Sequence, residues 1–318
     1  MSNLMASERC CISFQFDGLG TVDFIGVSRA ASGTSIAIPQ LKIQLDAGST
    51  VYNYHPEAVF VTHGHADHSF RLTHFVSRSK PPNFYMPAEM KSLAETYLLA
   101  SQSLSNGSPL CFEHYEVNHV SNGLKPGDDI VNFTKNKNLK AVAIECNHAA
   151  MPCLGYAFYL EQKKLLSSLE GAEKSVIARM AKRGEQVTEI VKKPLFIFLG
   201  DTTTSVFDSE LNSNSAEKYL LEGWSVVFVE CSFIDDNEYD NAVRTGHTHW
   251  RDLKPVVERF PDVSFVLMHF SRRYTKSKVD NFFADENVPN VRLFIAPDNA
   301  DDFLIYEVPP PNYKNEKE

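Results

Sequence analysis

The sequence predicts a layered α/β domain. Short apolar runs rich in Val, Ile and Phe are bounded by Gly, Pro, Asn or Asp, and segments with helical spacing lie between them. A polar side chain follows most of these runs, which is typical of sites built where the strands of α/β proteins end. A chain of 318 residues suits one large layered domain or two smaller ones. Because no internal repeat or dividing linker is visible, we expect one domain over residues 1–308 and a disordered, Pro-rich tail over 309–318.

Several apolar runs are expected to form buried strands. The clearest lie at residues 41–45, 58–62, 141–146, 154–160, 195–199, 225–229 and 263–268. Most of these runs are followed by a residue that can bind a metal or transfer a proton. These residues are His63, His148, Asp201, Glu230 and His269. Since a sheet holds its strand ends rigidly, we expect these side chains to converge on one site.

Two segments have the spacing of helices. Pro87 is expected to open the first one in its first turn. Its apolar positions are Met90, Leu93, Tyr97 and Leu98. The second covers residues 169–183, and Gly184 is suited to end it. Its apolar face consists of Val176, Ile177 and Met180.

Composition excludes several classes of protein. No apolar run reaches the ~20 residues that a membrane-spanning helix needs, so we expect no membrane partner. The net charge of -9 argues against indiscriminate nucleic-acid binding, but it is compatible with a local basic patch. The 6 cysteines are too scattered for a disulfide framework and lack the paired spacing of metal ligands. The sequence therefore predicts a reducing compartment, which would be the cytoplasm or the nucleus.

The run His63-Gly64-His65-Ala66-Asp67-His68 concentrates potential metal ligands directly after a strand. Such a loop can direct His63 and His65 to one metal and Asp67 and His68 to a neighbouring one. Hydrolytic metal sites combine nitrogen and oxygen ligands with an open position for water, whose pKa the metal lowers to about 7.

A second metal about 3.5–4 Å away requires a bridging carboxylate, for which Asp201 is suited. His148 and His269 would complete the two ligand sets. Zinc is the expected metal for these ligands, with manganese or iron as alternatives. Asp46 also closes a strand, and we expect its carboxylate to bond turn amides rather than to support a metal ligand. The remaining histidines that we considered, His55, His74, His114 and His119, are interpreted as structural.

Further motifs follow in order between residues 40 and 280. They are Asn147-His148 with Leu154-Gly155-Tyr156, Leu199-Gly200-Asp201-Thr202, Val229-Glu230-Cys231-Ser232-Phe233, Gly246-His247-Thr248-His249 and His269-Phe270-Ser271-Arg272-Arg273-Tyr274. With the His63 run, they resemble tRNase Z, the family of the metallo-β-lactamase superfamily that removes 3′ trailers from precursor tRNA. The pattern is more similar to the short plant-type members than to bacterial members with a Pro-x-Lys-x-Arg-Asn loop. The resemblance implies a four-layered αββα sandwich with a metal site at its edge.

The resemblance also implies roles for individual residues. One metal would be held by His63, His65 and His148, and the other by Asp67, His68 and His269, with Asp201 bridging the two. The catalytic residues would be Asp67, Glu230 and His247. A metal-bound hydroxide would attack phosphorus, and an imidazole held by a carboxylate would protonate the leaving 3′ oxygen. A Glu230–His247 pair with a structural role only is the alternative. Ser271 and Arg273 of the last motif would contact the substrate.

Members of the family bind tRNA with an arm inserted between the third histidine and the bridging aspartate. Residues 161–193 occupy this interval, and their eight Lys and Arg against five Glu give a local net charge of +3. Lys182 and Arg183 would contact tRNA phosphates, which position a nucleic acid without reading its sequence. A solvated helix with ordinary surface charge is the alternative. The resemblance implies a homodimer in which the arm of one subunit presents tRNA to its partner.

The sequence therefore predicts a zinc-dependent endoribonuclease that removes 3′ trailers from precursor tRNA, with two zinc ions per subunit. One alternative is a metal-dependent phosphodiesterase acting on cyclic nucleotides or other small phosphodiesters, which would use the same catalytic residues but not the arm. A second alternative is a catalytically silent scaffold for protein contacts, against which the intact ligand set argues.

Overall fold

A computed structural model describes residues 10–52, 54–76, 79–109, 119–296 and 305–307. The predicted tail at 309–318 and His114 lie outside the described residues. Within these ranges, no helix is both long and apolar enough to cross a membrane.

The strands, in chain order, are β1 (Cys10–Phe16), β2 (Gly20–Arg29), β3 (Gly33–Ile38), β4 (Ile43–Leu45), β5 (Thr50–Tyr52), β6 (Ala58–Phe60), β7 (Asn83–Pro87), β8 (Ser121–Leu124), β9 (Asp129–Ile130), β10 (Leu139–His148), β11 (Met151–Leu165), β12 (Thr188–Phe198), β13 (Val226–Glu230), β14 (Ser264–Met268), β15 (Val291–Leu293) and β16 (Ile305–Glu307). The α-helices are α1 (Ala66–Ser69), α2 (Thr73–Val76), α3 (Lys91–Asn106), α4 (Lys174–Lys182), α5 (Ala216–Leu221), α6 (Tyr239–Thr245), α7 (Trp250–Arg259) and α8 (Lys276–Glu286).

Two mixed sheets of 7 strands each form the centre of the molecule. The first has the order β1-β2-β3-β4-β6-β7-β8, and the second has the order β15-β14-β13-β12-β11-β10-β9. Each sheet has an antiparallel half and a parallel half. The parallel pairs are β4–β6, β6–β7 and β7–β8 in the first sheet and β12–β13, β13–β14 and β14–β15 in the second. A small parallel pair, β5 with β16, stands apart from both sheets.

Three apolar clusters define four layers. The largest lies between the sheets, where the rings of Phe24 and Phe228 are 4.5 Å apart between centroids. A second cluster packs the outer face of the second sheet against helices that include α7 and α8, through side chains such as Trp250 and Phe283. A third packs the first sheet against α2 and α3. Every residue of β13 is buried because both faces of its sheet are covered. The predicted four-layered αββα sandwich is therefore confirmed.

The predicted strands are all present, but the first helix begins later than predicted. Pro87 is the last residue of β7, and a short 3₁₀ turn at Ala88–Met90 leads into α3. Leu98 is buried as expected, whereas Leu93 is 72% exposed. The buried face of α3 is instead formed by Ala94, Leu98 and Leu99. A proline suits the end of a strand as well as a first helical turn, so its presence alone did not decide between them.

The segment at 161–193 is a strand extension that carries a helix. After a bulge between Phe158 and Tyr159, strands β11 and β12 pair out to Leu165 and Thr188, and a 3₁₀ turn and α4 connect them. The predicted helix at 169–183 is thus shorter, at Lys174–Lys182, and Gly184 follows it with φ of 77°. At the base of this hairpin, the Lys193 ammonium contacts the Asp17 carboxylate in the β1–β2 turn.

Candidate metal centre

The strand ends meet at one edge of the sandwich. His63 follows β6, His148 ends β10, Asp201 follows β12, and His269 follows β14. Their side chains, together with His65, Asp67, His68, Glu230 and His247, form a continuous cluster of potential ligand groups. The structure therefore brings together all the residues that were predicted as metal ligands, although they come from both sheets.

Two glycines allow the backbones to approach at this edge. A Cβ at Gly200 would lie 2.6 Å from the Thr62 Cβ, and a Cβ at Gly48 would lie 1.7 Å from the Asp67 carbonyl oxygen. Both distances are shorter than real Cβ contacts, so only glycine fits. Asp201, which follows Gly200, is thereby placed directly beside the His63 loop.

The first ligand group consists of His63, His65 and His148. His148 Nε2 lies 3.2 Å from His65 Nδ1. Asp201 Oδ2 lies 3.6 Å from His63 Nε2 and 4.0 Å from His148 Nε2. The ligand atoms of these four residues all lie within 4.8 Å of one another, which is the spacing that one cation at their centre requires.

The second ligand group consists of Asp67, His68 and His269. His68 Nε2 lies 3.2 Å from His269 Nε2, and His269 Nε2 lies 3.4 Å from Asp67 Oδ2. The other oxygen of Asp201, Oδ1, is 3.3 Å from His68 Nε2 and 3.5 Å from His269 Nε2. Asp201 therefore presents one carboxylate oxygen to each group, which is the geometry of a bridging ligand.

One unsatisfied polar atom of the cluster fits a bound cation. His63 Nε2 is fully buried and has no hydrogen-bond partner among the described residues. Such an atom is costly to bury unless a ligand satisfies it. The donor set, imidazole nitrogens with carboxylate oxygens, is the set that zinc and related divalent metals bind in proteins.

Hydrogen bonds from neighbouring residues orient the potential ligands. Asp46 Oδ2 lies 2.7 Å from His68 Nδ1, and the Gly246 carbonyl lies 3.0 Å from His148 Nδ1. Ser232 Oγ lies 3.0 Å from His269 Nδ1, and the Ala31 amide donates to Asp67 Oδ2 at 2.7 Å. Partners of this kind fix the orientation and tautomer of metal-binding side chains.

The interpretation of Asp46 as a carboxylate that only bonds turn amides is wrong. Its Oδ1 does accept a backbone hydrogen bond, from the Thr62 amide at 2.7 Å, but its Oδ2 holds His68. The backbone of Asp46 and that of His269 also lie in the left-handed region, with φ of 55° and 60°. Backbone strain in non-glycine residues concentrates at functional sites. Position along the sequence could not reveal this contact, because Asp46 and His68 are brought together only by the parallel pairing of β4 with β6.

The charges of the cluster are set by burial and by close pairing. Burial lowers the pKa of His63 well below its ordinary value, so that the imidazole is neutral, as a metal ligand must be. Burial raises the pKa of Asp201, but His269 and His68 outweigh this effect and hold it well below the usual range. Burial would lower the pKa of His68, yet Asp201 and Asp46 raise it well above its usual value. The cluster thus holds an ionised central carboxylate.

The buried Glu230 and the partly exposed His247 form a pair beside Asp201. His247 Nδ1 lies 2.9 Å from Glu230 Oε1, and Glu230 itself is fully buried. Burial on its own would lower the pKa of His247, but the Glu230 carboxylate outweighs it and raises that pKa to about 9. The Thr202 amide donates to Glu230 Oε1 at 2.8 Å, and the Ser232 hydroxyl donates to Oε2 at 2.6 Å. The carboxylate is therefore fixed on three sides and orients the imidazole.

A cleft of about 440 Å³ opens over the cluster. Ser271 and Arg273 line it, as their predicted contact with substrate requires, and so do His247 and Asp67. Lys182 and Arg183 do not line it. They lie at the end of α4, beyond the paired part of the β11–β12 hairpin. Several other contributors were not predicted, including Arg244 in the cleft and Ser232 behind the cluster. Ser232 had a detectable signal, because alternate residues in an extended segment point to the same side as Glu230.

Comparisons with known proteins agree with this arrangement. The sequence model of the metallo-beta-lactamase superfamily matches residues 53–134. The metallo-beta-lactamase fold protein YhfI from Bacillus subtilis superposes with a TM-score of 0.52 at 13% identity, covering 86% of this chain and 94% of that one. The fold and the cluster of ligand groups thus define a protein of metallo-β-lactamase fold.

Within this class, the resemblance to tRNase Z is confirmed. The chain is 27% identical to tRNase Z TRZ1 of Arabidopsis thaliana over 80% of its own length and 88% of that protein. It is also 27% identical to Ribonuclease Z of Macrococcus caseolyticus, over 79% of its length and 81% of that protein.

Proposed function

We propose that this chain is a metal-dependent endoribonuclease that hydrolyses a phosphodiester of precursor tRNA and removes the 3′ trailer. The observation that carries the proposal is the Glu230–His247 pair. His247 lies beside Asp201 and lines a cleft that residues of both ligand groups also line, and the buried Glu230 holds His247 from behind. A buried carboxylate that orients an imidazole is the arrangement a reaction needs when its leaving oxygen must be protonated. The similarity to tRNase Z proteins over about four-fifths of the chain supports precursor tRNA as the substrate.

Two zinc ions are the proposed cofactors, with manganese as an alternative. One would be held by His63, His65 and His148, the other by Asp67, His68 and His269, and Asp201 would bridge them. When bound, such ions lower the pKa of water and neutralise the phosphate. The partly exposed Asp67 carboxylate lines the cleft, where it would orient the attacking water.

The proton for the leaving group would come from His247. Because Glu230 Oε1 holds Nδ1, the other ring nitrogen, Nε2, is left to face the substrate. Water attacks phosphorus and releases one proton to the solvent, the bond from phosphorus to the 3′ oxygen breaks, and the Nε2 proton passes to that oxygen. The products are a tRNA with a 3′ hydroxyl and a trailer with a 5′ phosphate.

The arm and the dimer belong to the same proposal. Lys182 and Arg183 are exposed, with Arg183 at 68%, and they would contact tRNA phosphates at a distance from the cut. A homodimer would let the arm of one subunit hold the tRNA whose end enters the cleft of the other. The cytoplasmic or nuclear location stays a prediction.

The decisive experiment incubates the purified, zinc-loaded protein with a 3′-extended precursor tRNA and, separately, with bis(p-nitrophenyl) phosphate. A chelator and an Asp201→Asn variant are the controls. Cleavage of the precursor just after the discriminator base, lost in both controls, would support the endoribonuclease. The cleft is also large enough for a small diester. Metal-dependent hydrolysis of the small diester alone would therefore favour a phosphodiesterase acting on cyclic nucleotides or similar compounds.

A further inference from the structure

The cleft over the metal centre has a positively charged rim. Arg244, Arg272 and Arg273 line it, and the only carboxylates among its described lining residues are Asp67 and Asp201. Both carboxylates belong to the candidate metal centre, and Glu238, which lies outside the lining, forms an ion pair with Arg273. Among the described residues these carboxylates offset the charge of Arg273 but not that of Arg244. This local charge is opposite to the net charge of -9 for the whole chain. A rim of this sign attracts an anion beyond the phosphate at the metals.

A polar network holds two of these arginines in place. Arg273 Nη1 donates to Glu238 Oε2 at 3.0 Å, and Asn241 Nδ2 donates to the same oxygen at 3.1 Å. The Asn241 Oδ1 in turn accepts a hydrogen bond from Arg244 Nη2. Glu238 and Asn241 therefore link the two guanidinium groups through one chain of hydrogen bonds. Guanidinium groups that are held in a fixed orientation bind phosphate with less loss of side-chain entropy.

The position of Arg244 relative to His247 indicates on which side of the cleft the retained RNA strand lies. Arg244 lies near the end of α6, three residues before His247, and both line the same cleft. In the proposed reaction, His247 protonates the 3′ oxygen that stays on the tRNA. The strand that leads away from His247 is therefore the retained strand. In an in-line displacement the attacking water approaches phosphorus opposite that 3′ oxygen, and the trailer keeps the phosphorus as its 5′ phosphate.

We propose that Arg244 and Arg273, held by Asn241 and Glu238, form a clamp for the backbone phosphate of the retained tRNA strand on the 5′ side of the cut. This inference rests on the proposed function and assigns the substrate polarity of its cleft. Arg244 and Arg273 contact the substrate, whereas Glu238 and Asn241 act as positioning residues. The clamp would bind a second phosphodiester, next to the one that is cut. A polynucleotide has such a neighbouring phosphate, and a mononucleotide substrate does not.

The test measures binding of two RNAs to the full-length, metal-free protein by fluorescence anisotropy at several salt concentrations. One RNA is an acceptor-stem hairpin that ends at the cleavage site with a 3′ hydroxyl, and the other is a trailer oligonucleotide with a 5′ phosphate. The variants are Arg244→Ala, Arg244→Lys and Asn241→Ala. The matched control is Arg251→Ala, because Arg251 is also exposed and lies over an aromatic ring, Tyr239, but lines a different cleft.

In Arg244→Ala we expect affinity for the hairpin to fall about tenfold, with the salt slope reduced by about one, while affinity for the trailer is unchanged. Arg244→Lys should recover only part of the loss, since lysine keeps the charge but not the planar fork. Asn241→Ala should weaken hairpin binding in the same direction by about threefold. With the zinc-loaded enzyme, KM for the precursor should rise in Arg244→Ala more than kcat falls.

Equal losses for the two RNAs would mean non-specific attraction and would overturn the clamp, as would unchanged hairpin binding in Arg244→Ala. In either case, wild-type protein would still cleave precursor tRNA. If the wild-type protein neither binds nor cleaves these RNAs, the proposed function fails first, and the clamp fails with it.

Discussion

Asp46 Oδ2 lies 2.7 Å from His68 Nδ1, and both side chains are buried. The contact joins the end of one strand to the helical turn after another, and it orients the nitrogen that faces His269 and Asp201. Asp46 thus orients a residue of the candidate metal centre without itself belonging to either ligand group. Replacing Asp46 therefore tests the effect of this orientation on metal affinity while all the candidate ligands stay in place.

Asp46→Asn is expected to weaken metal binding by the Asp67, His68 and His269 group by about 10- to 100-fold, because the amide cannot supply the negative charge that raises the basicity of His68. Asparagine tolerates the φ of 55° at this position, so the backbone should stay in place. Zinc stoichiometry and affinity, measured by competition with a chromogenic chelator, would check this. Asp262→Asn, at an exposed position, is the control. Unchanged zinc affinity would show that the contact is only structural.

Glu230→Gln and His247→Ala are expected to reduce kcat by about 10²- to 10⁴-fold while the protein keeps its bound metal, because both residues lie outside the His63–His65–His148 and Asp67–His68–His269 groups. The measurement is single-turnover cleavage of precursor tRNA alongside metal analysis of the same samples. A full loss of metal in His247→Ala would argue that this residue is a ligand and not an acid. His249→Ala, at a neighbouring buried histidine that contacts the Asp235 carbonyl, is a control for general effects of removing an imidazole.

The ionisation of His247 gives a prediction for the metal-free protein. Burial would lower the pKa of His247, but the Glu230 carboxylate outweighs burial and raises it from 6.5 to about 9. A raised pKa in the folded state means that the pair stabilises the fold fully below pH 6.5 and loses that contribution as pH rises through about 9. Urea unfolding of metal-free wild type and Glu230→Gln, with the His247 resonance followed by NMR, would check this. The difference in unfolding free energy between the two proteins should shrink as pH rises, and a constant difference would contradict the assignment.

The arm can be removed at a defined point of the fold. Leu165 and Thr188 are paired, so residues 166–187 can be replaced by Asn-Gly, which favours a two-residue hairpin turn. We expect cleavage of precursor tRNA to fall at least about tenfold, mainly through KM, because Lys182 and Arg183 are lost. Hydrolysis of bis(p-nitrophenyl) phosphate is the reference activity and should persist. Equal activity of the shortened and full-length proteins on precursor tRNA would assign the arm no part in tRNA binding.

The amino-acid sequence by itself determined the layered architecture and the residues that meet at its edge. Buried strands are visible as short apolar runs because both faces of the parallel strands are covered, as in β13 and β14. The ligand residues are visible because they follow these runs directly. Glu230 and His247 were connected only through the resemblance, since 17 residues separate them along the chain.

Only the tertiary structure decided contacts between elements that are distant in sequence. The pairing of Asp46 with His68, the hydroxyl of Ser232 behind His269, and the link from Arg273 to Arg244 each join separate segments. Pro87 and the 161–193 segment show the same limit at the local level. A proline is compatible with the end of a strand or the start of a helix, and charged residues are compatible with a solvated strand or helix. For Pro87, packing of the first sheet selected the strand, whereas in the 161–193 segment the cross-strand pairing of β11 with β12 extended the strands. Local sequence encodes neither contact.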